Sequence, residues 1–121
     1  MDRLQFLYMI RPTRVEMLTE GLTRAEEEIV SSHFQYLRAL ARKGVVILAG
    51  RTLNDDETTV GIVVFQADSE DEATRVMHAD PAVKAGVMRA ELYPFHVAVA
   101  DERLAQTGQD VPKDQGGTST P

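Results

Sequence analysis

Two short segments limit what this chain can fold into. Residues 4–10 (LQFLYMI) and residues 59–65 (TVGIVVF) are rich in strand formers and carry apolar side chains at odd and even positions alike. Successive strand residues point to opposite faces, so a half-exposed strand alternates apolar with polar. Here Leu4, Phe6, Leu7, Tyr8, Met9 and Ile10 place apolar groups on both sides of the first segment, and Ile62, Val63, Val64 and Phe65 do so in the second. Such strands need cover on both faces.

The rest of the chain supplies only two substantial helices. Thr23 and Glu26 have the spacing of a capping box, and a helix is expected over residues 24–43 with Val30, Phe34, Leu37 and Ala41 as its apolar stripe. Arg42 and Lys43 suit its negative end and Gly44 its C′ position. Residues 45–49 read as a second strand leading into Gly50 and Arg51, and residues 54–57 (NDDE) as a polar turn. Ser69 and Glu72 repeat the capping-box spacing and open a shorter helix containing Ala73, Val76 and Met77. Asp80-Pro81 starts one more helical turn, which Gly86 ends. Residues 88–99 read as the last strand, with Pro94 marking an edge or a bulge, and residues 11–22 as a loop.

The order is therefore β-α-β-β-α-β, the ferredoxin-like α+β plan: an antiparallel sheet with both helices on one face. The other face would be an apolar patch larger than monomers tolerate, and a second copy of the sheet is its simplest cover. The expectation is a homodimer whose two sheets face each other in a dimeric α+β barrel. Residues 1–100 form the domain, and residues 101–121, with little to bury, form a flexible polar tail.

Composition narrows the function. The chain has 121 residues, a net charge of −6 and no cysteine. The acidic balance, without any basic block, argues against nucleic acid and anionic membrane as partners. The absence of cysteine removes disulfides, thiolate nucleophiles and cysteine-ligated metals. His78 and His96 have no partner at metal-ligand spacing, so no metal is expected, and no dinucleotide or phosphate-loop signature calls for a cofactor. Without a signal-like start or a bilayer-length apolar run, a cytoplasmic location is expected.

The stretch from His33 to Phe95 resembles the YCII (YciI-like) family. The resemblance is carried by His33-x-x-Tyr36-Leu37-x-x-Leu40, Gly44, Leu48-Ala49-Gly50, Gly61, Ser69-x-x-Glu72-Ala73, Asp80-Pro81-x-Val83-x-Ala85-Gly86 and Tyr93-Pro94-Phe95. It implies a ferredoxin-like subunit, a dimeric barrel, and a pocket between helix and sheet holding a His–Asp pair, which the motif match puts at His33 and Asp80. Its relatives include muconolactone isomerase-like enzymes and a dehydrochlorinase. The chain departs from the pattern at Arg51, where many members have proline; an arginine there adds a possible anion contact.

The residues themselves admit two readings each. His33 falls inside the arc of the helix stripe, where a histidine serves either as a core residue or as an acid/base. Asp80 is a natural N-cap and, having two oxygens, can also orient a histidine. Arg11 and Arg51, each following a strand, either anchor an anionic ligand or lie solvated among carboxylates. Gly50 either permits close approach of a ligand or marks a bulge. Tyr36 lines either a pocket or the core. Together these give the functional expectation: a cofactor-independent enzyme doing acid/base chemistry on a small anionic or phenolic substrate. Its isomerase, lyase or hydrolase character stays open. The competing readings are a non-catalytic ligand-binding or regulatory homodimer, and an interaction protein with His33 at the dimer seam.

Overall fold

The computed structural model describes residues 3–105. The elements follow in the order β1 (Leu4–Pro12), α1 (Glu16–Thr19), α2 (Arg24–Arg42), β2 (Val46–Arg51), β3 (Gly61–Ala67), α3 (Glu70–Ala79), α4 (Pro81–Lys84), β4 (Met88–Phe95) and α5 (Glu102–Ala105). The four strands form one antiparallel sheet in the order β2-β3-β1-β4, which is the ferredoxin-like topology. The two segments that are apolar on both faces occupy its two central positions, β1 and β3. No helix among the described residues is long and apolar enough to cross a membrane.

Register assigns every strand residue to a face. Phe6, Tyr8 and Ile10 stand opposite Phe65, Val63 and Gly61. The side chains of Phe6, Tyr8, Ile10, Val63 and Phe65 turn toward the helices and build the core with Leu37, Val46, Ala73 and Met77. Phe65 is the hub, with the Phe6 ring 5.9 Å and the Tyr8 ring 5.6 Å from its own. Gln5, Leu7, Met9 and Arg11 point to the other face, with Val64 and Ile62 beside them on β3. Pro94 sits on β4, an edge strand, the position in a sheet where proline is tolerated.

Several boundaries differ from the sequence reading. β4 stops at Phe95, four residues short of Val99. Beyond it the Val97 N–H donates to the Gln5 side chain at 2.8 Å, so the chain has left the ladder. Residues 11–22 are not all loop: β1 runs through Pro12, and α1 buries Met17. The bulge in β2 falls between Val46 and Leu48, not at Gly50. Of the segment expected to be a tail, α5 lies beside β2, and residues 106–121 fall outside the described residues.

Both helix starts are built as their spacing predicts, with one variation. Thr23 and Glu26 form a reciprocal capping box. Ser69 accepts from the Glu72 N–H, but the Glu72 carboxylate accepts from the Asp68 N–H instead of returning the bond to Ser69. Gly44 closes α2 with φ of 79°, a left-handed conformation that glycine adopts without strain.

The Thr23–Glu26 box is also tied to the preceding loop. Arg14 donates to both Glu26 oxygens at 2.8 Å, and the Thr23 N–H donates to the same carboxylate. The Arg14 bonds first, then the Thr23 N–H, hold the Glu26 carboxyl down at about 2, against 4.5 for an ordinary glutamate. A carboxylate depressed in the folded state stabilises fully above its unfolded value, and that contribution fades as pH falls through the folded one. The Glu26→Gln variant should therefore melt below wild type at neutral pH, and the gap should close as pH approaches 2. Melting curves across that range check it; a gap independent of pH would show that charge plays no part.

Candidate active site

The site begins with the face of α2. Its buried residues are His33 and Leu37, with Tyr36 and Leu40 partly buried against the core, so the buried line is shifted from the expected stripe and keeps only Leu37 of it. Val30, Phe34 and Ala41 flank that line and open onto a cleft of about 580 Å3 between α2 and the sheet. Phe34 is 48% exposed although apolar, because it borders this space. Ligand sites commonly occupy about 300–1,000 Å3, so the cleft suits a small molecule. Gly61 keeps the cleft floor low: a Cβ there would come within 2.9 Å of Ile10.

His33 is 3% exposed and Asp80 is fully buried. Asp80 sits at the corner between α3 and α4, as the C-cap of one helix and the N-cap of the next. Its Oδ1 accepts the Ala82 N–H at 2.9 Å, and its Oδ2 accepts the Tyr8 hydroxyl at 2.7 Å. The His33 Nδ1 lies 2.8 and 2.9 Å from the two oxygens. Three donors from three different elements thus converge on one carboxylate.

A carboxylate only accepts hydrogen bonds, so Nδ1 of His33 donates in this contact, and in the neutral ring Nε2 is then the acceptor. Nε2 makes no hydrogen bond to the described residues, yet no buried side-chain nitrogen or oxygen among them lacks a partner. Nε2 is therefore reached from the cleft that His33 lines. The Tyr8 hydroxyl is held far above the usual tyrosine range, chiefly by burial and then by the Asp80 charge, so it remains a donor. Tyr36 is pushed up to about 12 by burial and then by Asp80.

The expected site residues divide. His33 and Asp80 meet, and Gly50 and Arg51 line the same cleft. Nothing lies within 4 Å of a Cβ built at Gly50, so no close approach requires glycine there. Tyr36 is not in the cleft: its hydroxyl donates to the Val76 carbonyl at 2.6 Å and ties α2 to α3. Arg11 is also elsewhere. It pairs with Arg89 on the face opposite the helices and borders a separate hollow with Arg14, because strand parity sends Ile10 and Pro12 toward the cleft and Arg11 away. Sequence reasoning missed Tyr8 and Arg38. Tyr8 was findable, since its spacing from Phe6 and Ile10 puts its hydroxyl on the helix side, where a buried tyrosine needs an acceptor. Among the described residues no three His, Asp or Glu side chains converge as a metal-ligand set.

Comparison with known proteins agrees with this architecture. A family model described as the YCII-related domain matches residues 6–96. Comparison with curated proteins finds no match. Among solved structures, the chain is similar to a 5-chloro-2-hydroxyhydroquinone dehydrochlorinase of Burkholderia phenoliruptrix in complex with 2,5-dihydroxybenzoquinone. The identity is 22%, the match covers 75% of this chain and 93% of that one, and the TM-score is 0.54. An uncharacterised protein of Thermotoga maritima matches at 12% identity, covering 78% and 98%, with a TM-score of 0.48. A cofactor-independent oxygenase of Streptomyces nogalater matches at 17%, covering 83% and 97%, with a TM-score of 0.45.

Proposed function

The chain belongs to the YCII-related family, and from that premise we propose that it is a small-molecule enzyme in which His33 transfers protons and Asp80 positions it. The observation that carries this reading is the buried Nδ1–carboxylate contact at 2.8 Å, with Nε2 left to the cleft. In such a pair the base is poised without any cofactor. Nε2 takes a proton from a bound substrate, the Asp80 charge stabilises the imidazolium that forms, and the proton then returns to a leaving group or to a neighbouring atom. Isomerisation, elimination and hydrolysis all fit this cycle, and small phenols and organic acids fit the cleft. Screening such compounds for turnover by wild type and by a His33 variant tests it. Turnover that survives loss of the imidazole defeats the assignment. Saturable binding at the cleft without turnover of any compound would make the protein a ligand-binding module instead.

The same reading includes self-association through the face opposite the helices. Leu48, Val64, Leu7 and Tyr93 form one row across all four strands on that face. Leu48 and Tyr93 at its two ends are exposed, as is Phe95 farther along β4. A second copy of the sheet is the occupant that matches such a row in shape and chemistry. Light scattering behind size exclusion should give twice the chain mass for wild type and the single chain mass for a Leu48→Glu/Tyr93→Glu double variant with unchanged circular dichroism. A wild type that runs as a monomer at every concentration tested contradicts this part of the reading.

A further inference from the structure

The chain holds 19 Asp and Glu against 13 Lys and Arg, yet the cleft inverts that balance. Apart from His33, its charged lining residues are Arg38, Arg51 and Asp55. Asp55 faces Arg51, with 3.7 Å between Oδ1 and NH1, and the same NH1 donates to the Thr52 carbonyl at 3.3 Å. Arg38 makes no ion pair with any described residue, although acidic side chains outnumber basic ones over the whole chain.

Arg38 also has a telling neighbour. Phe34 lies four positions earlier on α2, so the exposed ring and the unpaired guanidinium are adjacent on one helix face. Side chains on a helix lean toward its N-terminus, which favours a guanidinium placed beside Phe34. Along the axis Arg38 stands about 7.5 Å beyond His33 and about 140° around it, and both side chains border the one cleft, so a ring bearing a carboxylate lies between them there. A planar guanidinium matches a carboxylate through two parallel hydrogen bonds, while the ring finds Phe34 and Leu37.

Resting on the reading of the cleft as a ligand site, we infer that it takes an aromatic or alicyclic carboxylic acid. Arg38 is the anchor for the carboxylate, Arg51 is a weaker second cation at the far end of β2, and the acid's ring lies within reach of His33 Nε2. Arg38 then decides which ligands bind, and His33 decides what happens to them.

Benzoate and its uncharged isostere benzamide separate these claims. Binding is followed by titration and by the imidazole carbon–proton NMR signal of His33, in wild type, Arg38→Gln and Arg51→Gln proteins. Benzoate should move the His33 signal and bind wild type about tenfold or more tightly than benzamide. Arg38→Gln should remove that preference while leaving benzamide affinity unchanged, and Arg51→Gln should weaken benzoate less. Equal affinity for the two compounds, or unaltered benzoate binding by Arg38→Gln, overturns the anchor while leaving the cleft as a ligand site. If neither compound moves the His33 signal, the anchor and the ligand-site reading fall together.

Discussion

Replacing Asp80 by alanine should remove about 3–5 kcal/mol of stability, the largest loss expected from any single side chain of the site. The carboxylate is fully buried and holds the Tyr8 hydroxyl, the Ala82 N–H and the His33 ring together. Alanine leaves all three donors without a partner, and a buried unpaired donor costs about 1–3 kcal/mol. Loss of the α4 cap adds to this, though the terms overlap and do not simply sum. Graded variants should order themselves by how many donors they strand. Tyr8→Phe withdraws a donor and strands none, so about 1 kcal/mol is expected. Asp80→Asn keeps an acceptor but turns an amide N–H₂ toward one of the donors, which places it between the two. Urea unfolding with an unchanged m-value is the appropriate measurement. An Asp80→Ala protein within about 1 kcal/mol of wild type would mean that water reaches the corner and satisfies the donors.

The same cluster shows what could and could not be read from sequence. Strand segments, caps and helix order are local properties, so the ferredoxin-like plan followed from them. Asp80 was legible as a cap because its signal, Asp-Pro before a short apolar run, is contiguous. His33 was legible as inward-facing from the helix period. The companion residues were not, because each depends on long-range register. Arg51 ends β2 and Arg11 is next to last in β1, yet Arg51 stands opposite Gly61 on the cleft side while Arg11 stands opposite Arg89 on the far side. One residue of register decides between those outcomes. Tyr36 has the composition of a pocket residue, but its hydroxyl found the end of α3. The helix stripe gave the right positions with the wrong centre, since Val30, Phe34 and Ala41 border an open cleft and only part of the face meets the sheet. An apolar residue beside a cavity is indistinguishable in sequence from one in the core.

Removing the imidazole chemistry while keeping its hydrogen bond should lower kcat by about 10²–10⁴ with the fold intact. His33→Asn does this. The asparagine amide nitrogen can stand where Nδ1 stands, so Asp80 keeps its third donor, but nothing replaces the Nε2 lone pair. His33→Gln is the complementary change. Its longer side chain reaches toward the cleft and withdraws the donor from Asp80, so it should lose stability as well as activity. If His33 acts as the base, kcat and kcat/KM fall together in His33→Asn while KM barely moves, because the lost interaction exists only in the transition state. If His33 merely completes a buried network, His33→Asn should be nearly as active as wild type and His33→Gln impaired in proportion to its unfolding. The two substitutions thus answer separately for what Nδ1 does for the fold and what Nε2 does for the substrate.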